Sequence, residues 1–243
     1  LLIALLTLLA AGIIKGAIGS GVPVLVVPVF TMLYDVKLAI AVLVVPNLLS
    51  NLLQVWQYRR HLLPIRFLAA FSIAGALGII LGTWGLVVLS PKLLSLGVAG
   101  AIVLYLIIKL TRRRLVLSYA LASRIVIPVG LLGGILQGAA GMSAPASITF
   151  LNAMKLERPV FIGSISVFFV ALTCVQIPAL LKADILTMQR SLYSVIALGI
   201  ILTAMPLGAY LGNRMPHRWF DNLIMLLLTG IAIKIIIDAL LQA

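Results

Sequence analysis

The chain has 243 residues, of which 63% are hydrophobic and only 9% charged, with a mean hydropathy of +1.27. Soluble domains carry about 25% charged residues, so this chain could not cover a water-facing surface and reads as an integral membrane protein. Its net charge of +13 does not point to nucleic acid. The Arg112-Arg113-Arg114 run has no aromatic residues interleaved, and positive charge collects in the cytoplasmic loops of membrane proteins.

Apolar runs punctuated by charge, Pro or Gly fall at 1–14, 22–34, 38–58, 65–89, 93–108, 115–136, 145–154, 159–181, 192–211 and 220–240. A spanning helix needs about 20 apolar residues. No run alternates with the period of a strand, and most are too long for a barrel strand. The expected class is all-α, with about eight transmembrane segments and no room for a separate soluble domain. The chain opens at Leu1 with neither Met nor a basic stretch, which reads as numbering that starts inside the first hydrophobic segment, without a signal peptide. Cys174 is the single cysteine; it excludes an internal disulfide and a multi-cysteine metal site, and is expected to pack within its helix.

A shift of 122 places Lys15-Gly16-Ala17-Ile18-Gly19-Ser20-Gly21-Val22-Pro23 on Gln137-Gly138-Ala139-Ala140-Gly141-Met142-Ser143-Ala144-Pro145. The same shift sets Asp35 on Glu157, Asn51 on Thr173, Gln54 on Gln176 and Arg60 on Lys182, while a shift of 125 pairs Pro91 with Pro216 and Lys109 with Lys234. The chain therefore divides into two pseudo-symmetric repeats, 1–114 and 115–243. Two-repeat membrane proteins are typically transporters whose site lies between the repeats, at helices interrupted in corresponding places. Gly16–Pro23 and Gly138–Pro145 are those interruptions, since Gly relaxes the backbone and Pro cannot continue the preceding turn.

If the broken segments are re-entrant, the repeats are inverted. Arg59, Arg60, Arg66, Lys109, Arg112, Arg113, Arg114, Lys155, Arg158, Arg214 and Arg218 then share one side, against Lys37, Lys92, Lys182 and Arg190 on the other. Parallel repeats would divide the same residues nine against six. The positive-inside rule favours the inverted arrangement, and in both cases the 59–66 and 109–114 loops are cytoplasmic.

Asp35, Glu157, Asp184, Asp221 and Asp238 all fall at or near segment ends, and His61 and His217 sit in basic loops. No catalytic motif appears, and there is nothing from which to build a carboxylate proton relay or sodium cage. No catalytic residue, cofactor or metal is expected. What lies deep is neutral or positive: Lys15, Ser20, Asn47, Ser50, Asn51, Gln54, Gln137, Ser143, Ser164, Ser166, Thr173 and Gln176. Asn47, Asn51 and Gln54 share one helix face, and Thr173 and Gln176 repeat part of it. Lys15 fronts the first glycine stretch, and an intramembrane ionisable residue marks a functional site by default.

This set suits a small anion. Helices expected to start near Ser20–Val22 and Ser143–Ala144 would aim unpaired N–H groups and a positive dipole end inward. The expected substrate-binding residues are Lys15, Gly19, Ser20, Gly21, Asn47, Asn51, Gln54, Gln137, Gly141, Ser143, Thr173 and Gln176. Neutral donors also let an ion leave again. An interior-negative potential drives an anion outward by about 2.3 kcal/mol per charge per 100 mV, so the lack of coupling carboxylates favours export over uptake.

The glycine-broken first segment followed by Pro23 and Pro28, the polar-faced stretch Pro46-Asn47-Leu48-Leu49-Ser50-Asn51-Leu52-Leu53-Gln54 before a basic loop, the second glycine segment, and Gly208-Ala209-Tyr210-Leu211-Gly212 before a basic turn together resemble the TauE/SafE sulfite exporter family. The resemblance covers essentially the whole chain. It implies an eight-helix, two-repeat, multi-pass permease of the bacterial inner membrane that moves small sulfur-containing anions such as sulfite or sulfoacetate. Lys15, and the side chains of Ser20, Met142 and Ser143 at the breaks, depart from that family's richest glycine pattern. The partners expected are the small anion and the lipid bilayer, with oligomeric state left open. A channel-like anion pore and a non-transporting structural or assembly protein are the other two readings of the same residues.

Overall fold

The computed structural model describes residues 2–111, 116–214, 225–226, 228–235 and 237. The triple-arginine run, Pro216, His217, Arg218, Asp221 and Asp238 lie outside them. The described residues form nine helices and no strand: α1 (Leu2–Ile18), α2 (Val22–Leu33), α3 (Val36–Tyr58), α4 (Ile65–Val88), α5 (Pro91–Thr111), α6 (Tyr119–Ala140), α7 (Ser147–Ala153), α8 (Arg158–Lys182) and α9 (Met188–Arg214). Further helical residues follow at 228–235. Six of the helices, α3, α4, α5, α6, α8 and α9, contain stretches long and apolar enough to cross a bilayer. Isoleucines, leucines and a tryptophan along α4 (Ile73, Leu77, Ile80, Leu81, Trp84) are exposed, an apolar surface that suits acyl chains and not water.

The two expected breaks are present but narrower than the composition suggests. α1 continues through Gly16 to Ile18, and α6 through Gly138 to Ala140. Gly21 caps α2 at φ 109°, and Gly141 caps α6 at φ 67°, both in the left-handed region where an L side chain is strained. α2 starts at Val22, as expected. α7 starts later than expected, at Ser147, because Ser143–Ala146 first form a turn in which Ala146 N and Ser147 N donate to the Ser143 carbonyl at 3.0 and 2.9 Å. With 12 and 7 residues, α2 and α7 reach only about 18 and 10 Å at 1.5 Å per residue, well short of the roughly 30 Å hydrocarbon core.

Gly16 and Gly138 stay helical because each is a packing surface. α1 lies on α9 and α4 lies on α6. A Cβ on Gly138 would sit 2.7 Å from the Thr83 backbone nitrogen and 2.8 Å from the Ile79 oxygen, and one on Gly16 would strike Met205 and Ala209. Such small-residue seams let backbones approach closely where lipid supplies no hydrophobic drive. The helices in each seam run parallel: Gly12 meets Ile201 and Gly16 meets Met205, while Gly130 meets Phe71 and Gly138 meets Thr83. Between the seams α3 and α8 run antiparallel, with Gln54 bonded to Ser166 and Tyr58, further along, against Gly163.

Pro46 interrupts α3 and removes the N–H that would have reached the Val42 carbonyl. Ser194 of α9 repairs the gap, donating to Val42 O at 2.9 Å and accepting from Val45 N at 3.1 Å. At the other end of α3, Ser164 accepts from Leu63 N at 3.0 Å, and Leu117 N bonds Ala153 O at 2.8 Å. Arg59, Arg60, Arg66, Lys155 and Arg158 gather at that second end. Arg158 donates to the Ala17 carbonyl at 2.8 Å, occupying an otherwise orphaned acceptor at the C-terminus of α1. Cys174, expected to pack, is exposed; it falls on the face of α8 opposite the buried Thr173 and Gln176.

Candidate anion-binding site

Asp35 accepts from Leu38 N at 2.8 Å and so starts α3; the helix then carries Asn47, Asn51 and Gln54 on its buried face. Lys15, near the end of α1, is 2% exposed and meets that face. Its ammonium can only donate, so its 2.9 Å bond to Asn51 identifies the acceptor as Oδ1. Asn51 Nδ2 in turn donates to Asn47, to the backbone oxygen at 2.6 Å and to Oδ1 at 3.2 Å. The orientation of Asn47 follows. Its oxygen is engaged, and its Nδ2 has no acceptor among the described residues.

The second half repeats the device with different residues. Gln137 Oε1 accepts from Ser143 N at 3.1 Å across the break, which leaves Gln137 Nε2 unengaged. Gln176 Nε2 reaches the Gln137 carbonyl at 3.4 Å, a long contact. Asn47, Gln137 and Gln176 converge on one small cavity whose remaining wall is Val27, Ile40, Leu43, Val44 and Gly141. Asn47 Nδ2 and Gln137 Nε2 are donors with no acceptor, each on an amide whose oxygen is already bonded, whereas at Gln176 the nitrogen is engaged and the oxygen accepts from nothing among the described residues. An oxyanion satisfies the two free donors.

The remaining sequence candidates divide. Gln54 accepts from Ser166 Oγ at 3.1 Å. A Cβ on Gly19 would strike Ile162, just as one on Gly141 would sit 2.9 Å from Ile40. Ser20 is buried at the first break beside Gly21. Thr173 does not join the site: its hydroxyl donates to its own helix at Phe169 O, 2.7 Å away. Ser50 likewise bonds back to Pro46 O, and the Ser143 hydroxyl accepts from Ser147 at 2.8 Å. The described carboxylates Asp35, Glu157 and Asp184 are exposed at helix ends, so the Lys15 ammonium is balanced by amide oxygen. No group of metal-ligating residues occurs among the described residues. The apolar wall of the cavity was not among the sequence candidates. Ile40 alone carried a signal, since the 122 shift sets it on Ile162.

The model of the Sulfite exporter TauE/SafE family matches residues 4–235. No curated protein and no solved structure matches the chain. The family match runs from the first turn of α1 to the last described helix and takes in both glycine breaks and the polar face of α3, so the chain belongs to the TauE/SafE sulfite exporter family.

Proposed function

We propose that the chain is a permease for sulfite or a small organosulfonate, exporting it through a site between two inverted repeats, 1–114 and 115–243, of a bacterial inner-membrane protein. Membership of a family of sulfite exporters gives the broad class. The observation that carries the site is the cavity bounded by Asn47, Gln137 and Gln176, where the donors Asn47 Nδ2 and Gln137 Nε2 have no acceptor. Inversion is supported by matched pairings: Gly16 on Met205 and Ala209 has its counterpart in Gly138 on Ile79 and Thr83. The antiparallel α3 and α8 are what a two-fold axis in the membrane plane would produce. The clustering of Arg59, Arg60, Arg66, Lys155 and Arg158 at one end supports a cytoplasmic placement of that end.

The binding chemistry is weak by design. Each neutral hydrogen bond contributes about 1 kcal/mol net, enough to replace part of the hydration shell without trapping the ion. An interior-negative potential of 100 mV contributes about 2.3 kcal/mol to moving one charge outward, equivalent to roughly a fortyfold gradient, so no coupling ion is needed. The test is efflux of [35S]sulfite from proteoliposomes under an imposed potential. Wild-type protein should show saturable efflux that rises as the interior becomes more negative. Asn47→Ala, Gln137→Ala and Gln176→Ala should each reduce it while keeping the thermal unfolding of the parent. Undiminished efflux in all three would remove the site assignment, and non-saturating conductance would favour a pore.

A further inference from the structure

The 122 shift carries each wall of the Asn47–Gln137–Gln176 cavity to a second place in the molecule. Gln137 maps to Lys15, Gln176 to Gln54, Gly141 to Gly19, Val44 to Ser166, and Asn47 to Phe169. The mapped residues are also brought together. Ser166 bonds Gln54, Gly19 lies against Ile162 one turn from Ser166, and Lys15 is held on Asn51, one turn of α3 from Gln54. Gln54 is 4% exposed. With its oxygen accepting from Ser166, its Nε2 has no acceptor among the described residues. The Lys15 ammonium, also buried, uses one of its three donors on Asn51. α2 begins six residues on, at Gly21, without a side-chain cap. The bulkiest change is at one position: where the open cavity has the small polar Asn47, the corresponding residue is the buried Phe169.

We propose that Lys15, Gly19, Gln54 and Ser166 form a second anion station, closed in this conformation by the Phe169 side chain, which acts as the gate between it and the open cavity. The proposal rests on the permease reading above. Gln54 lies two turns along α3 from Asn47, so the stations are about 10 Å apart at 1.5 Å per residue. Gln54 lies toward the basic end and Asn47 toward the other. The charged station therefore faces the side from which an exported anion arrives, and the neutral one the side on which it is released. Binding near a buried ammonium captures the ion; transfer to amide donors lets it go.

Equilibrium binding of [35S]sulfite to purified protein tests this. Wild type should bind one sulfite per chain, and Phe169→Asn, which gives the gate its counterpart's side chain, should bind two. The extra sulfite should vanish in the Phe169→Asn, Lys15→Gln double variant. Lys15→Gln alone, which leaves the gate intact, should still bind one sulfite with affinity within about twofold of wild type while efflux falls at least tenfold. One sulfite on folded Phe169→Asn would overturn the second station and leave the permease standing. Loss of the single bound sulfite in Lys15→Gln, or unchanged efflux, would overturn it equally and would not depend on any gate variant folding. Absence of binding to wild type would instead strike the permease itself, and the station with it.

Discussion

The two glycine seams and the two halves of the polar centre come from the same shifted sequence, yet they differ in kind. In the seams the halves agree at their closest approaches, with Gly12 and Gly16 on α9 matched by Gly134 and Gly138 on α4. In the centre they diverge: Lys15 stands opposite Gln137, Asn51 opposite Thr173, and Phe169 opposite Asn47. At these approaches backbone meets backbone with no room for a Cβ, so both copies keep these glycines. A transport path needs two unlike ends, so its lining does not stay symmetric. The scaffold is duplicated and the chemistry is not.

The largest expected effect comes from breaking the agreement. Gly16→Leu and Gly138→Leu each push a side chain into backbone, so both should yield no monodisperse protein on size-exclusion chromatography. A well-folded Gly138→Leu beside a lost Gly16→Leu would show that only one seam is structural. The next effect comes from erasing the divergence. Gln137→Lys places a second ammonium by the neutral cavity, and hydrogen bonds to charged groups contribute about 1.5–3 kcal/mol. Sulfite affinity should rise at least tenfold while efflux falls, because release becomes slow; weaker binding with faster efflux would contradict the assigned polarity. The smallest effect compares two helix starts. Asp35 accepts from Leu38 N, whereas Glu157, its counterpart, makes no capping bond. Asp35→Ala should cost about 1 kcal/mol, or about 2–4 °C of Tm, and Glu157→Ala should leave Tm unchanged in the same thermal scan.

Much of this arrangement is legible in the sequence. Gly and Pro inside apolar sequence have few uses, so Gly19, Gly21 and Gly141 marked the breaks, and polar residues at spacings of three and four marked the inward face of α3. Charge at segment ends marked one basic side. Other features left no trace. Val27, Leu43 and Val44 wall the cavity, but an apolar residue in an apolar helix looks the same whether it meets ligand, protein or lipid. Cys174 shows the same blindness, exposed where packing was expected. Thr173 matched Asn51 by position, yet its short hydroxyl bonds its own helix, a choice that depends on side-chain reach. The partnership of Ser194 with the Pro46 gap joins residues far apart in the chain, and only the packing of α9 on α3 brings it about.

Selenite shares the pyramidal oxyanion shape and charge of sulfite and scatters anomalously, so crystals of the protein soaked in it locate the ion directly. The account predicts an anomalous peak within hydrogen-bond distance of Asn47 Nδ2 and Gln137 Nε2, which disappears in Gln137→Leu crystals. A peak only at the basic loops, with the cavity between α3, α6 and α8 empty, would contradict it.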